Sequence, residues 1–226
     1  FISEASVYRI LKDHNLLTSP AWIVRSAKDK FDNPTTAINQ LWQTDFTYLK
    51  VTGWGWYYLS TVMDDYSRYI ISWRLCTGMA AADVSATLKD ALKVAGLSRK
   101  QRPRLLSDNG PCYVSSELKG WLADHGMDHT RGKPYHPMTQ GKIERWHRTM
   151  KDRILLEHYY LPNELESRIE EFINHYNTRR YHESLNNLTP EDVWLGRGRD
   201  ILEQRRKIKA KTLCLRKQLY QQQKAA

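Results

Sequence analysis

Residues 41–51 read LWQTDFTYLKV and are rich in Trp, Thr, Phe, Tyr and Val, the residue types that favour β-strands. Gly53 and Gly55 follow closely and indicate a turn. Asp45 lies inside this predicted strand, where an unpaired charge is costly unless a partner such as a metal ion offsets it. The stretch therefore predicts a first strand that carries an acid in need of a partner.

Further elements follow this strand in a definite order. Two more strand-like runs, WYYLSTVMDD and SRYIISWRL, precede a helix, ADVSATLKDALKVAG, whose apolar residues share one stripe and which Gly96 closes. A short strand (RPRLLSDNG), a helix (SSELKGWLADHG) and a fifth strand (DHTRGKPY) come next. Later helices are predicted over about 142–158, ended by Pro162, over 164–180, and from Thr189. This order predicts an α/β fold with a mixed sheet.

Two more acids stand at positions suited to chemistry. Asp108 ends the fourth strand, and ligands of α/β sheets gather at the carboxyl ends of strands. Glu144 opens the long helix and lies off its apolar stripe. Acids from three segments can hold divalent cations, which stabilise the attacking and leaving oxygens when a phosphodiester is cleaved. On the residues alone, a turn aspartate, an exposed glutamate and an ion-paired Asp45 are the simpler interpretation.

Four motifs that occur in order along the chain favour a catalytic role for the three acids. They are WQTDFTYLK (42–50), LLSDNGPCY (105–113), YHPMTQGKIERWHRTMK (135–151) and FINHYNTRRYHESLNNLTPEDVW (172–194). The first three closely resemble the Asp-Asp-Glu core of retroviral integrases and many insertion-sequence transposases, including the thirty-five residues between the second and third acids. The fourth is similar to the segment after the core in family three of the bacterial insertion sequences. The resemblance covers about residues 40–196.

The resemblance implies a ribonuclease-H-like fold, with a five-stranded mixed sheet flanked by helices and a helical C-terminal extension. It implies that Asp45, Asp108 and Glu144 are both the catalytic residues and the ligands of two Mg²⁺ ions, for which Mn²⁺ can substitute. Asp64 and Asp65 match family positions that look structural. One departure is Gln140, where bacterial relatives often have Asn.

Basic residues beside Glu144 are candidates for DNA binding. Glu144, Arg148 and Lys151 share one helix face, and Lys151 matches a basic residue that contacts the element terminus in the family. An ordinary Glu–Arg helix pair is the alternative. The remaining candidates are Lys142 and Arg145 on the same helix and, from the family's Asn-x-Arg-x-x-His stretch, Arg179 and Arg180.

Charge is concentrated at the C-terminus. The chain has a net charge of +10, and residues 197–226 contain ten basic and two acidic residues. Such a tail suits a polyanion such as DNA, while a solvated helix or a helix packed on another subunit are alternatives. The expected organisation is a helix-turn-helix remnant (1–18), a linker (19–39), the catalytic core (40–158), a helical extension (159–196) and the basic tail (197–226).

Several classes of protein are disfavoured. No apolar run reaches the roughly 18 residues of a membrane span, and the first residues show no signal-peptide pattern. Three scattered cysteines argue against a disulfide framework or a Cys-based zinc site, which favours a reducing compartment such as the bacterial cytoplasm. Because the chain begins with Phe1, it is expected to be a fragment or a processed form.

The resemblance implies a DNA transposase. Such an enzyme cleaves DNA at element ends and transfers the strand when the freed 3′ hydroxyl attacks another phosphodiester, first joining the two ends of one element into a circle. Its partners would be element-end and target DNA and at least one further copy of the chain, without a membrane. The alternatives are an inactive DNA-binding descendant, a ribonuclease or resolvase on the same fold, and a retroelement integrase.

Overall fold

The structure, a computed structural model, describes residues 2–14, 16, 35–99, 101–132 and 140–225. Two compact units are present: Asn33–Gly196 form one, and Phe1–Asp32 with Arg197–Ala226 form the other. Residues 17–34, which include most of the predicted linker (19–39), lie outside the described residues. So do residues 133–139, which include the end of the fifth predicted strand and most of the loop before the long helix.

A five-stranded mixed sheet forms the centre of the larger unit, as the sequence predicted. The strands are β1 Leu41–Val51, β2 Gly55–Asp64, β3 Ile70–Cys76, β4 Arg104–Ser107 and β5 His129–Arg131, in the spatial order β3-β2-β1-β4-β5. The β1–β2 and β2–β3 pairs are antiparallel, whereas β4 runs parallel to β1 and β5 runs parallel to β4. β1 is therefore the central strand, and its direction matches that of the two strands on one side.

Eight helices are seen in the described residues. They are α1 Glu4–Asp13, α2 Ala81–Ala95, α3 Pro111–Val114, α4 Ser116–Asp124, α5 Gly141–Ile154, α6 Pro162–Thr178, α7 Pro190–Trp194 and α8 Gly198–Ala225, with a 3-10 turn at Glu183–Leu185. Ser3, Ser115 and Thr189 cap their helices through side-chain oxygens, and Gly96 ends α2 in the left-handed conformation. The short α3 was not predicted.

Apolar side chains cover both faces of the sheet. One cluster joins Leu49 and Val51 of β1 to the apolar stripe of α5 and to buried residues of α6. The other joins Trp42 and Val62 to buried residues of α2 and α4. Side chains of a strand alternate between its faces, so β1 contributes to both clusters. Since α6 shares a cluster with α5, the predicted helical extension packs in the same core.

α5 ends earlier than the sequence predicted. The predicted helix ran to His158, but the observed one ends at Ile154. The buried Tyr159 donates its hydroxyl to the Ile154 carbonyl at 3.0 Å, and its own carbonyl accepts from Thr52 N at 2.8 Å. These tertiary hydrogen bonds end the helix. Pro162, the predicted breaker, lies instead in the first turn of α6.

The segment after α5 is held on the edge strand β3. The side-chain amide of Asn177 accepts from Ile70 N and donates to the Ile70 carbonyl, both at 3.0 Å. Trp194 of α7 stacks on Tyr69 with ring centroids 5.2 Å apart. The Asn-x-Arg-x-x-His stretch therefore begins with a buried residue whose contacts are structural.

The second unit contains α1 and α8. α1 ends at Asp13, and none of its residues is buried. On α8, Ile208, Leu215 and Leu219 are about half exposed. None of the described helices is long and apolar enough to span a membrane. The assignments of α1 as a helix-turn-helix remnant and of α8 as a DNA-binding tail remain predictions.

Acidification should destabilise the fold partly through His182. Burial, with the positive charges of Arg180 and Arg68, lowers the pKa of His182 from 6.5 to about 4. Between these values the unfolded chain binds a proton that the folded chain does not, so stability falls as the pH falls from about 6.5 to about 4. We expect His182→Asn to reduce the loss of unfolding free energy between pH 7 and pH 5 by on the order of 1 kcal/mol in urea titrations.

The matched control for this measurement is His158→Asn, because His158 is exposed. Its pH dependence should equal that of the wild type. A His182→Asn variant that loses as much stability as the wild type would contradict the prediction.

Candidate active site

Two of the three predicted acids occupy equivalent positions on neighbouring parallel strands. The last registered pair of β1 and β4 joins Gln43 to Leu106, and Asp45 and Asp108 each lie two residues beyond that pair. Parallel neighbours are about 4.8 Å apart, and residues two apart point to the same face. The fold therefore brings Asp45, in the middle of β1, next to Asp108, which directly follows the carboxyl end of β4.

Asp45 is held from two sides. Its Oδ1 accepts a hydrogen bond from the backbone N of Phe46 at 2.8 Å. Its Oδ2 lies 3.4 Å from Nδ1 of the buried His147 on α5. The side chain is 20% exposed, so the carboxylate is restrained and still reachable from solvent.

The pKa of Asp108 is raised above its ordinary value. Burial raises the pKa of Asp108, the hydrogen bond from Gly110 N opposes the rise, and the charge of Asp45 adds to it. The Gly110 N–H donates to Oδ1 of Asp108 at 2.8 Å, and a Cβ at position 110 would lie only 3.0 Å from the same oxygen. Glycine at 110 therefore lets the turn close tightly around the carboxylate.

The start of α5 is hydrogen-bonded to the first half of β1 and to the end of β4. The Gln140 side-chain amide donates to the carbonyls of Thr44 and Leu106, at 3.3 and 3.5 Å, and so bridges the two strands just before their acids. Ile143 N donates to Oε1 of Gln43 at 3.2 Å. The departure at Gln140 thus places an amide that reaches both strands.

Glu144 lies on the helix face that approaches β1. The positions 140, 144, 147 and 151 share one face at helical spacing, and Gln140 and His147 on either side of Glu144 both contact β1. Glu144 itself is exposed and lies in the first turn. Within the described residues, no three His, Cys, Asp or Glu side chains are already grouped as metal ligands.

The predicted DNA-contacting residues have different surroundings. Lys151 lies near Asp45, whose charge opposes the lowering of its pKa by burial, and its Nζ is 4.1 Å from the centre of the Tyr48 ring. Lys142 instead pairs with the buried Asp65, Nζ to Oδ2 at 2.6 Å, so its charge is engaged within the core. The others are Arg145, Arg148 and Arg179, all exposed, and Arg180, whose guanidinium lies 5.7 Å from the Tyr176 ring centre.

Three residues of this site have contacts that the sequence did not predict. His147 contacts Asp45, Gln140 bridges the strands, and Gly110 closes on Asp108. Only His147 had a usable signal, since it lies three residues after Glu144 and therefore on the same helix face. The roles of the other two depend on residues far away in sequence or on backbone geometry.

The comparisons with known proteins agree with this architecture. Residues 35–137 and residues 125–190 each match a family described as Integrase core domain. The IS904 insertion-sequence transposase of Lactococcus lactis is 27% identical over 161 residues, which cover 70% of this chain and 62% of the transposase. The Gag-Pro-Pol polyprotein of mouse mammary tumor virus is 30% identical over 141 residues, or 61% of this chain and 8% of the polyprotein. The chain thus spans less than two thirds of either relative.

Solved structures show the same fold. The catalytic core domain of HTLV-2 integrase, determined in complex with magnesium in trimeric and dimeric forms, matches with a TM-score of 0.56 at 20% identity. The match covers 70% of this chain and 97% of that domain. Fold and site together define a protein with an integrase core domain. The two integrase core matches together cover residues 35–190, and insertion-sequence transposases are among the proteins that the chain resembles.

Neutralising Asp45 should lower the pKa of Asp108. The negative charge of Asp45 disfavours ionisation of its neighbour, so Asp45→Asn removes a contribution that raises the pKa. The measurement is a ¹³C NMR titration of the Asp108 carboxyl carbon in both proteins. Asp90→Asn is the control, because Asp90 pairs with Arg74 on another part of the surface. An unchanged Asp108 titration in Asp45→Asn would mean that the two carboxylates are not neighbours.

Proposed function

We propose that this chain is the catalytic part of a DNA transposase, which cleaves DNA at element ends and joins the ends by strand transfer. Asp45, Asp108 and Glu144 are its proposed catalytic residues. The observation that carries the proposal is the equivalent placement of Asp45 on β1 and of Asp108 directly after the parallel strand β4. Burial raises the pKa of Asp108, and the charge of Asp45 adds to the rise.

The donor set suits divalent cations. Two partly exposed carboxylates held side by side repel each other, and a hard cation with oxygen ligands offsets that repulsion. Asp45, Asp108 and Glu144 would hold two Mg²⁺ ions, with Mn²⁺ able to substitute. When bound, the ions stabilise negative charge on the attacking and leaving oxygens of the phosphodiester. The HTLV-2 integrase core in complex with magnesium supports this choice.

The chain's own residues prepare this site. His147 and the Phe46 N–H restrain the Asp45 carboxylate, and the Gly110 N–H restrains that of Asp108. Gln140 fixes the start of α5 on both strands, so Glu144 is carried on a helix with a defined position. Restraint of this kind contributes to rate because reacting groups then need little reorganisation.

The proposed reaction proceeds without a covalent protein–DNA intermediate. In cleavage, a water oxygen bonds to the phosphorus and the bond to the 3′ oxygen breaks, which leaves a 3′ hydroxyl. In strand transfer, that 3′ oxygen bonds to a second phosphorus, and another 3′ hydroxyl leaves. Lys151 and Arg148, on the face of α5 that carries Glu144, would bind phosphates of the DNA end.

The partners follow from the same proposal. They are element-end DNA, target DNA and at least one more copy of the chain, and the place of action is the bacterial cytoplasm. The trimeric and dimeric forms of the HTLV-2 integrase core support assembly of several subunits. A retroelement integrase is the second candidate, favoured by the similarity to the mouse mammary tumor virus polyprotein.

Asp108→Asn should abolish strand transfer. Removing one carboxylate leaves the cations short of a ligand, which should lower the rate by about a thousandfold. The assay follows joining of labelled candidate element-end DNA in magnesium, in calcium and without metal. Asp90→Asn should join at the wild-type rate. Full joining by Asp108→Asn, or equal joining without metal, would refute the proposal.

Gly110→Ala should slow strand transfer while leaving the fold intact. The added Cβ would lie 3.0 Å from Asp108 Oδ1, so the carboxylate must shift away from its position. A shift of this kind should cost about ten- to a hundredfold in rate. The matched control is Gly120→Ala in α4, where nothing lies within 4 Å of the added Cβ. Wild-type joining by Gly110→Ala, with thermal unfolding also unchanged, would show that Asp108 needs no such turn.

A further inference from the structure

Two large aromatic side chains lie exposed on the β1–β2 hairpin. Tyr48 is 56% exposed and Trp56 is 53% exposed. Tyr48 lies opposite Tyr58 and Lys50 lies opposite Trp56 in the strand register, so all four side chains share one face of the sheet. The Tyr48 and Trp56 rings meet edge to face, with centroids 5.4 Å apart. We call Tyr48 and Trp56 the aromatic pair.

Two lysines flank the aromatic pair. Nζ of Lys151 lies 4.1 Å from the centre of the Tyr48 ring, and Nζ of Lys50 lies 6.0 Å from that of Trp56. Both distances are within the range of cation–π attraction. The lysines hold the rings in place and make the surface positively charged.

The aromatic pair is close to the paired carboxylates. Asp45 and Tyr48 are three residues apart on β1, so their side chains point to opposite faces of the sheet and meet only around the edge of β1. They are about 10 Å apart along the strand, which is the rise of about three stacked nucleotides. In the described residues, β4 pairs with β1 no further than Gln43, so β4 does not cover the edge that joins Asp45 to Tyr48. Lys151 spans this edge, since it lies near Asp45 and over Tyr48.

The charge and the aromatic rings of this surface favour a nucleic acid as its ligand. Exposed aromatic rings beside lysines can stack bases while the ammonium groups bind phosphates, the arrangement of single-strand nucleic-acid sites. A second copy of the core offers no comparable charge complement to these lysines, because residues 197–226 carry +8 of the chain's net charge of +10 and the rest of the chain is nearly neutral. A nucleic acid therefore fits the surface better than another subunit does.

We propose that Tyr48 and Trp56, with Lys50 and Lys151, form a platform that stacks unpaired nucleotides of the DNA strand next to the carboxylate pair. The inference rests on the proposed function, because it places the same DNA on both surfaces. The platform holds the strand open beside the phosphodiester to be cleaved. Stacking depends on the ring face, so the platform should tolerate any base sequence and prefer tailed to blunt duplexes.

The test compares binding of two fluorescent duplexes to the full chain in calcium. One duplex is blunt, and the other ends in a three-nucleotide unpaired tail. Trp56→Ala and Tyr48→Ala should each weaken binding of the tailed duplex by about five- to a hundredfold, with blunt binding little changed. Trp56→Phe and Tyr48→Phe keep a ring and should retain most of the preference.

Trp54→Ala is the matched control. Trp54 lies on the turn of the same hairpin and is 61% exposed, but it is not part of the aromatic pair. This variant should keep the wild-type preference. As a direct readout of stacking, 2-aminopurine placed in the tail should lose fluorescence on binding to the wild type but keep it with Trp56→Ala.

Three results would overturn the platform. In the first, the wild type binds the blunt and the tailed duplex with equal affinity. In the second, Trp56→Ala weakens binding of the two duplexes equally. In the third, Trp56→Ala changes the sedimenting mass of the protein but keeps the preference for the tailed duplex. The last result would assign the surface to a contact between subunits. Tail preference without strand transfer would refute the proposed function alone, and strand transfer without tail preference would refute the platform alone.

Discussion

The pairing of β1 with β4 is the constraint on which the site depends. Because these strands are parallel and in register at Gln43 and Leu106, the two following acids must emerge side by side. Burial is the main cause of the raised pKa of Asp108, and the neighbouring charge of Asp45 adds to it. Two adjacent carboxylates that solvent can reach repel each other, and a bound cation would offset this repulsion.

α5 joins the core to this site. Its apolar stripe, which includes Trp146 and Met150, is buried against the sheet. A neighbouring face of the helix carries the polar residues Gln140, Glu144 and His147, of which Gln140 and His147 contact β1. The same packing that stabilises the domain therefore sets the position of the acid-bearing face. A substitution in the stripe would move the site as well as weaken the core.

Four aspartates near the sheet differ in how they are held by the protein. Asp64 accepts hydrogen bonds from Asn39 N and from the backbone and side chain of Ser67, and Asp65 is paired with Lys142. Both acids are fully engaged inside the protein, as the family resemblance implied for them. Among the described residues, in contrast, Asp45 has Phe46 N and His147 as neighbours, Asp108 accepts from Gly110 N, and both side chains are reachable from solvent. The number of protein partners distinguishes the two classes.

The sequence by itself determined the strands β1 and β2, the helix α2 with its Gly96 terminus, and the Thr189 cap, because these depend on side chains within a few residues. The motif spacing also predicted Asp45, Asp108 and Glu144 as the catalytic residues, and that assignment remains a prediction. Only the tertiary structure decided that α5 ends at Ile154, that Lys142 turns to Asp65, and that His147 reaches Asp45. Each of these contacts joins residues that local periodicity cannot relate, since buried hydrogen bonds and ion pairs form only after the strands and helices have packed.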